Sequence, residues 1–167
     1  MGKIRKNPLM TAVIICILSL AVMVTALALS GGEPERGVFV PPAFDEHAVQ
    51  GTPDVPEHLG WNQLDAQVYK VSLCGVVTLE EGKADVWLTN PKSNTVWLKL
   101  RMLDEKGNIL GESGLIRPGE YVQSIHVEAP LKNGDPIGLK VMAYEPDTYY
   151  SAGSATLNTI IVGGNKR

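Results

Sequence analysis

Val96-Trp97-Leu98-Lys99-Leu100-Arg101-Met102-Leu103 sets Val96, Leu98, Leu100 and Met102 at every second position, with Trp97, Lys99 and Arg101 between them. A period of two marks a strand with one face on a core and the other toward water, because successive Cβ atoms leave opposite faces of the pleat. The same rhythm extends outward from this stretch. Upstream it runs through Tyr69, Val71 and Leu73 and through Val86 and Leu88. Downstream it runs through Tyr121, Gln123, Ile125 and Val127, through Ile137, Leu139, Val141 and Ala143, and through Leu157, Thr159 and Ile161. No segment after residue 65 carries a helical period.

Turn chemistry separates these runs at Asn90-Pro91-Lys92-Ser93-Asn94, Asp104-Glu105-Lys106-Gly107-Asn108, Arg117-Pro118-Gly119-Glu120 and Lys132-Asn133-Gly134-Asp135-Pro136. Proline presets φ, glycine accepts φ > 0, and Asn or Asp bonds to backbone two residues on. The reading is therefore all-β: an immunoglobulin-like antiparallel sandwich of about seven or eight strands over 66–163, with a small barrel as the alternative. Leu79, Leu115 and Trp61 are expected to close its core.

The N-terminal residues are of another kind. Residues 1–8 hold Lys3, Arg5 and Lys6 and no acid, and residues 9–30 are almost wholly apolar. A helix of about 21 residues is roughly 31 Å long, the hydrocarbon thickness of a bilayer. The basic flank keeps the N-terminus inside and sends the rest out. The expected location is the cell membrane, single-pass with the C-terminal domain outside; the alternative is secretion after signal cleavage beside Ala26-Leu27-Ala28 or Ala28-Leu29-Ser30. Residues 31–65, with Pro34, Pro41, Pro42, Pro53 and Pro56, read as a Pro/Gly-rich linker whose last stretch lies on the domain through Leu59, Trp61 and Leu64. Residues 164–167 are a polar tail.

Charge and cysteine counts narrow the function. Lys and Arg total 15 against 18 Asp and Glu. With the three N-terminal cations set aside, the net charge of the exported part is −6, which gives no basic field for a phosphate backbone, and no nucleic-acid partner is expected. Cys16 and Cys74 fall on opposite sides of the membrane boundary, so Cys74 is a lone thiol, flanked by apolar residues and expected to be buried and inert. Glu46-His47, Glu57-His58 and His126 lack the spacing of a metal site. No catalytic motif is present, so neither a catalytic residue nor a cofactor is assigned.

Asn94 to Ile125, NTVWLKLRMLDEKGNILGESGLIRPGEYVQSI, together with Asn90-Pro91, resembles small exported immunoglobulin-like proteins of Gram-positive bacteria that have no assigned activity, some associated with conjugative elements. The resemblance spans roughly Pro56 to Val162. It implies a surface location and a sandwich fold, and carries over no functional residue.

Binding residues are therefore sought among aromatics. Trp87 and Trp97 fall on the outward face of an expected hairpin, opposite one another across the Asn90–Asn94 turn and flanked by Lys99 and Arg101. Such a pair suits a sugar or a partner protein, unless the tether end around Trp61 covers it as a second small core. Tyr144, Tyr149 and Tyr150 form a second contact surface. The expected function is a membrane-tethered envelope module acting by protein contact. The alternatives are a secreted carbohydrate-binding domain using the Trp pair, and an envelope enzyme.

Overall fold

The structure, a computed structural model, describes residues 39–163 together with Ser19 and Thr25. The predicted membrane or signal helix and the tail at 164–167 otherwise lie outside the described residues, as does the start of the linker. Among the described residues no helix is long and apolar enough to cross a membrane. From Pro41 onward the chain is one compact unit.

That unit is mostly β, as the alternating runs require. Its strands are β1 (Val49–Gln50), β2 (Trp61–Asp65), β3 (Lys70–Cys74), β4 (Val77–Glu80), β5 (Lys83–Thr89), β6 (Trp97–Leu103), β7 (Ile109–Glu112), β8 (Glu120–His126), β9 (Pro136–Tyr144) and β10 (Ser151–Val162). They form one curled, mixed sheet in the order β1-β8-β5-β4-β10-β9-β6-β7, with β3 joining β5 and β2 joining β3. Strand β10 serves both halves of the curl: residues up to Ile160 run antiparallel to β9, and Ile161–Val162 run parallel to β4. At the other end of the order, β7 comes back against β8.

The curl puts the apolar positions of both halves into one cluster. Leu98, Leu100 and Met102 on β6 and Leu139 and Val141 on β9 meet Val71, Val86, Leu88, Val122 and Ile161, all essentially without solvent access. Tyr69 ties the halves together, its hydroxyl donating to the Val141 carbonyl at 3.1 Å. Leu115 is buried as expected, and Leu79 lies at the margin.

Three expectations are corrected. First, β5 and β6 do not pair. Strand β5 lies between β8 on one edge and β3 and β4 on the other, whereas β6 lies between β9 and β7. The Asn90–Asn94 segment therefore carries the chain from one half of the curl to the other. Second, the sheet begins before residue 66. Phe44 bridges Leu115, β1 pairs with β8, and β2 pairs with β3 throughout its length. The polar residues of Trp61-Asn62-Gln63-Leu64-Asp65 hid this edge strand, which needs only one covered face. Third, the phase of β8 is shifted: Val122 is buried and Gln123 exposed, because the β5 bulge at Trp87 changes the register.

Cys74 on β3 is fully buried, and burial followed by the nearby Asp85 charge pushes its thiol up to about 12. In a Cys16→Ser chain, Cys74 is expected to stay unlabelled by a disulfide reagent at mildly alkaline pH until denaturant is added. Prompt labelling of folded protein would contradict that burial.

Candidate functional site

Strand register decides which of the expected binding residues meet. Trp97 on β6 stands opposite Tyr144 on β9, Lys99 opposite Met142, and Arg101 opposite Lys140 on one side and Glu112 on the other. Directly opposed residues share a face, so these side chains form an outer surface with aromatic rings at one end and cations along its middle. The aromatic end is built in depth. Phe44, from the segment read as tether, meets Trp97 edge-on at 4.8 Å between centroids, and Arg117 lies 3.6 Å above the Phe44 ring. On its other side Trp97 meets Tyr149 at 5.3 Å, again edge to face.

Tyr149 belongs to the turn between β9 and β10, and that turn is closely held. Its amide donates to the Glu145 carbonyl at 3.0 Å, the Glu145 amide donates to Tyr150 at 2.8 Å, and the Tyr150 amide donates to the Thr148 hydroxyl. Asp147 and Tyr149 both take positive φ, 65° and 57°, conformations that side chains other than glycine adopt at a cost. With Tyr149 seated on Trp97, the next residue points away: Tyr150 is 71% exposed. Thus Trp97, Lys99, Arg101, Tyr144 and Tyr149 come together on one face, with Tyr150 at its tip.

Trp87 does not join them. It sits in the β5 bulge with φ 48°, and its ring stacks on Tyr121 at 6.2 Å. The bulge frees the Trp87 carbonyl from the ladder, and Trp61 Nε1–H donates to it at 3.2 Å, with the Thr89 hydroxyl a second donor. The expected Trp pair is thus two separate aromatic groups, each met by a residue from before position 66, Trp61 in one case and Phe44 in the other. Sequence reasoning named Trp61 as a cover but missed Phe44, whose place depends on the bridge to Leu115. The Trp87 indole N–H is buried with no hydrogen-bond partner among the described residues.

The cations of the first face are partly neutralised. Glu112 accepts from Lys99 Nζ at 2.7 Å and from Arg101 Nε at 2.9 Å, and the Lys99 side chain is only 10% exposed. Burial works to raise the Glu112 carboxyl, and the hydrogen bonds from Lys99 and Arg101 outweigh it, holding the group below its ordinary 4.5. A depressed folded-state carboxyl contributes stability that is present above its unfolded value and lost as pH falls through the folded one. Thermal melts of the native chain and of Glu112→Gln are therefore expected to differ at neutral pH and to converge as the solution is made more acid than pH 4.5. A gap that stays constant with pH would dismiss this network as a source of stability.

Beside this face, His47 and His126, with Asp45 and Glu112, line a groove of about 470 Å³. Sequence reasoning kept these two histidines apart. Among the described residues no group of three His, Cys, Asp or Glu side chains is arranged to hold a metal ion. Compared with protein-family models, curated proteins and solved structures, the chain matches none of them.

Proposed function

We propose that this chain is a membrane-tethered, extracytoplasmic binding or structural module of a bacterial cell envelope, acting by contact with an envelope protein and not by catalysis. In this reading residues 9–30 are the anchor, and the β unit is an immunoglobulin-like sandwich whose contact surface is the Trp97–Tyr150 end. The basic flank and apolar run of residues 1–30 support the location, and the single core shared by both halves of the curled sheet supports the sandwich.

One observation carries the choice of surface. Tyr150 is exposed, while the residues behind it are fixed by the Glu145–Tyr150 hydrogen bonds and by the packing of Tyr149 on Trp97. An exposed tyrosine on a fixed support loses little conformational entropy when a partner covers it, which is how rigid aromatic anchors give affinity. Arg101 and Lys140 farther along the face add positive charge, part of it taken up by Glu112. The carbohydrate alternative through a Trp87–Trp97 platform loses its geometric support, since the two rings stand in different aromatic groups.

The test is photocrosslinking in intact cells, with a photoreactive phenylalanine analogue at position 150 or, as control, at position 106 in the β6–β7 turn. A discrete protein adduct is expected from position 150 alone, and it should vanish when Trp97→Ala removes the support of Tyr149. Equal adducts from both positions, or none from 150, would reject the proposed surface. Digestion of the β unit by protease added to intact cells is expected; full protection until lysis would reject the location.

A further inference from the structure

The outer face of the β2-β3-β5 part of the sheet bears a cleft of about 290 Å³. Trp61 forms one wall, and its indole is fixed in place by the bond to the Trp87 carbonyl. Gln63, Ser72, Thr52 and Lys92 supply polar groups around it. Ser72 is the informative one. It is 3% exposed and lines the cleft. A hydroxyl in the lining of a cleft is placed to bond to something occupying it.

Lys92 adds the charge. Its stem lies over Gly119, where a Cβ would come 2.9 Å from Lys92 Cγ, so glycine there makes room for the lysine at the edge of the cleft. Lys92 forms no ion pair among the described residues, and the nearest chain carboxylate in sequence beyond Gly119, Glu120, is engaged by Gln50 and Arg117. The cleft therefore combines a fixed aromatic wall, a serine hydroxyl, an amide and an ammonium group that has no ion-pair partner among the described residues.

We propose that this cleft binds a single sugar ring carrying a carboxylate. Its volume lies just under the roughly 300 Å³ at which sites for drug-sized ligands begin, which suits one ring and excludes a long chain lying wholly inside. A pyranose has an apolar C–H face that packs on an indole and a rim of hydroxyls that would engage Ser72 and Gln63. The carboxylate pairs with Lys92.

The probe is glucuronate, compared with glucose and with an acetylated Ala-Ala dipeptide, titrated into the isotopically labelled chain and followed by the indole N–H resonances. Glucuronate is expected to shift the Trp61 indole signal and leave that of Trp97 in place, binding roughly tenfold more tightly than glucose. Lys92→Gln, a change at an exposed position that leaves the core untouched, is expected to bring glucuronate down to the affinity of glucose. Ser72→Val is expected to weaken both sugars together. No Trp61 shift, a shift that survives both substitutions, or preference for the dipeptide would overturn the assignment. None of these results bears on the tyrosine surface, whose test is separate.

Discussion

Replacing Asn90 with alanine is expected to lower the unfolding free energy by about 3 kcal/mol, far more than a turn residue ordinarily contributes. Asn90 has no solvent access, although its neighbours read as an exposed turn. Its Nδ2 donates to the carbonyls of Val96 and Ile116 at 2.9 and 3.1 Å, and its Oδ1 accepts from Asn94 at 2.7 Å. Its backbone N–H donates to Glu120, and its carbonyl accepts from Gly119. One side chain thus holds the point where the chain leaves β5 for the other half of the sheet. Alanine would leave two buried carbonyls with one partner fewer and strip Asn94 of an acceptor, while Asn94 also pairs with both backbone groups of Lys70. Urea unfolding monitored by tryptophan fluorescence measures this directly. A loss below about 1 kcal/mol, the contribution of an ordinary exposed hydrogen bond, would show that the crossing is held by other means.

Gly111→Ala is expected to destabilise the unit by about 3 kcal/mol or more, through a backbone collision that no side-chain rotation relieves. Gly111 lies on β7 at the far end of the strand order, and a Cβ there would run into the carbonyl of His126 on β8. This is where the curled sheet closes on itself, with the Glu128 amide donating to the Leu110 carbonyl beside it. Forcing β7 and β8 apart would open the core at that seam. The signature is specific: amide exchange should accelerate first in β7 and the end of β8, while the β9–β10 ladder stays protected. Uniform acceleration, or a melting temperature equal to that of the native chain, would refute the closure. Serine at this position meets the same obstacle and should behave alike.

The buried side chains were largely legible before the structure. Leu98, Leu100 and Met102 fall on the inner face of β6 as their alternation required, with Val96 buried just before the strand, and Ile137, Leu139, Val141 and Ala143 do the same on β9. Strand partners were less legible. Asn90-Pro91-Lys92-Ser93-Asn94 and Asp104-Glu105-Lys106-Gly107-Asn108 carry much the same turn chemistry, yet the second joins the paired strands β6 and β7 while the first spans the two halves. Local dihedral preference reverses a chain without specifying which strand it returns to. The candidate site suffered from the same ambiguity: Trp97, Lys99 and Arg101 were correctly placed on one face by periodicity, but Trp87 was joined to them only through a hairpin that does not form.

Alternation alone thus determined that residues after 65 build strands and which side chains they bury, because a side-chain period of two is a property of each strand by itself. Which strands adjoin, that Phe44 and Trp61 return to cover separate tryptophans, and that Ser72 faces a cleft were decided only in three dimensions. Those outcomes depend on pairing and packing between residues as far as 84 positions apart, as between Val77 and Ile161, and no local pattern encodes a contact at that separation.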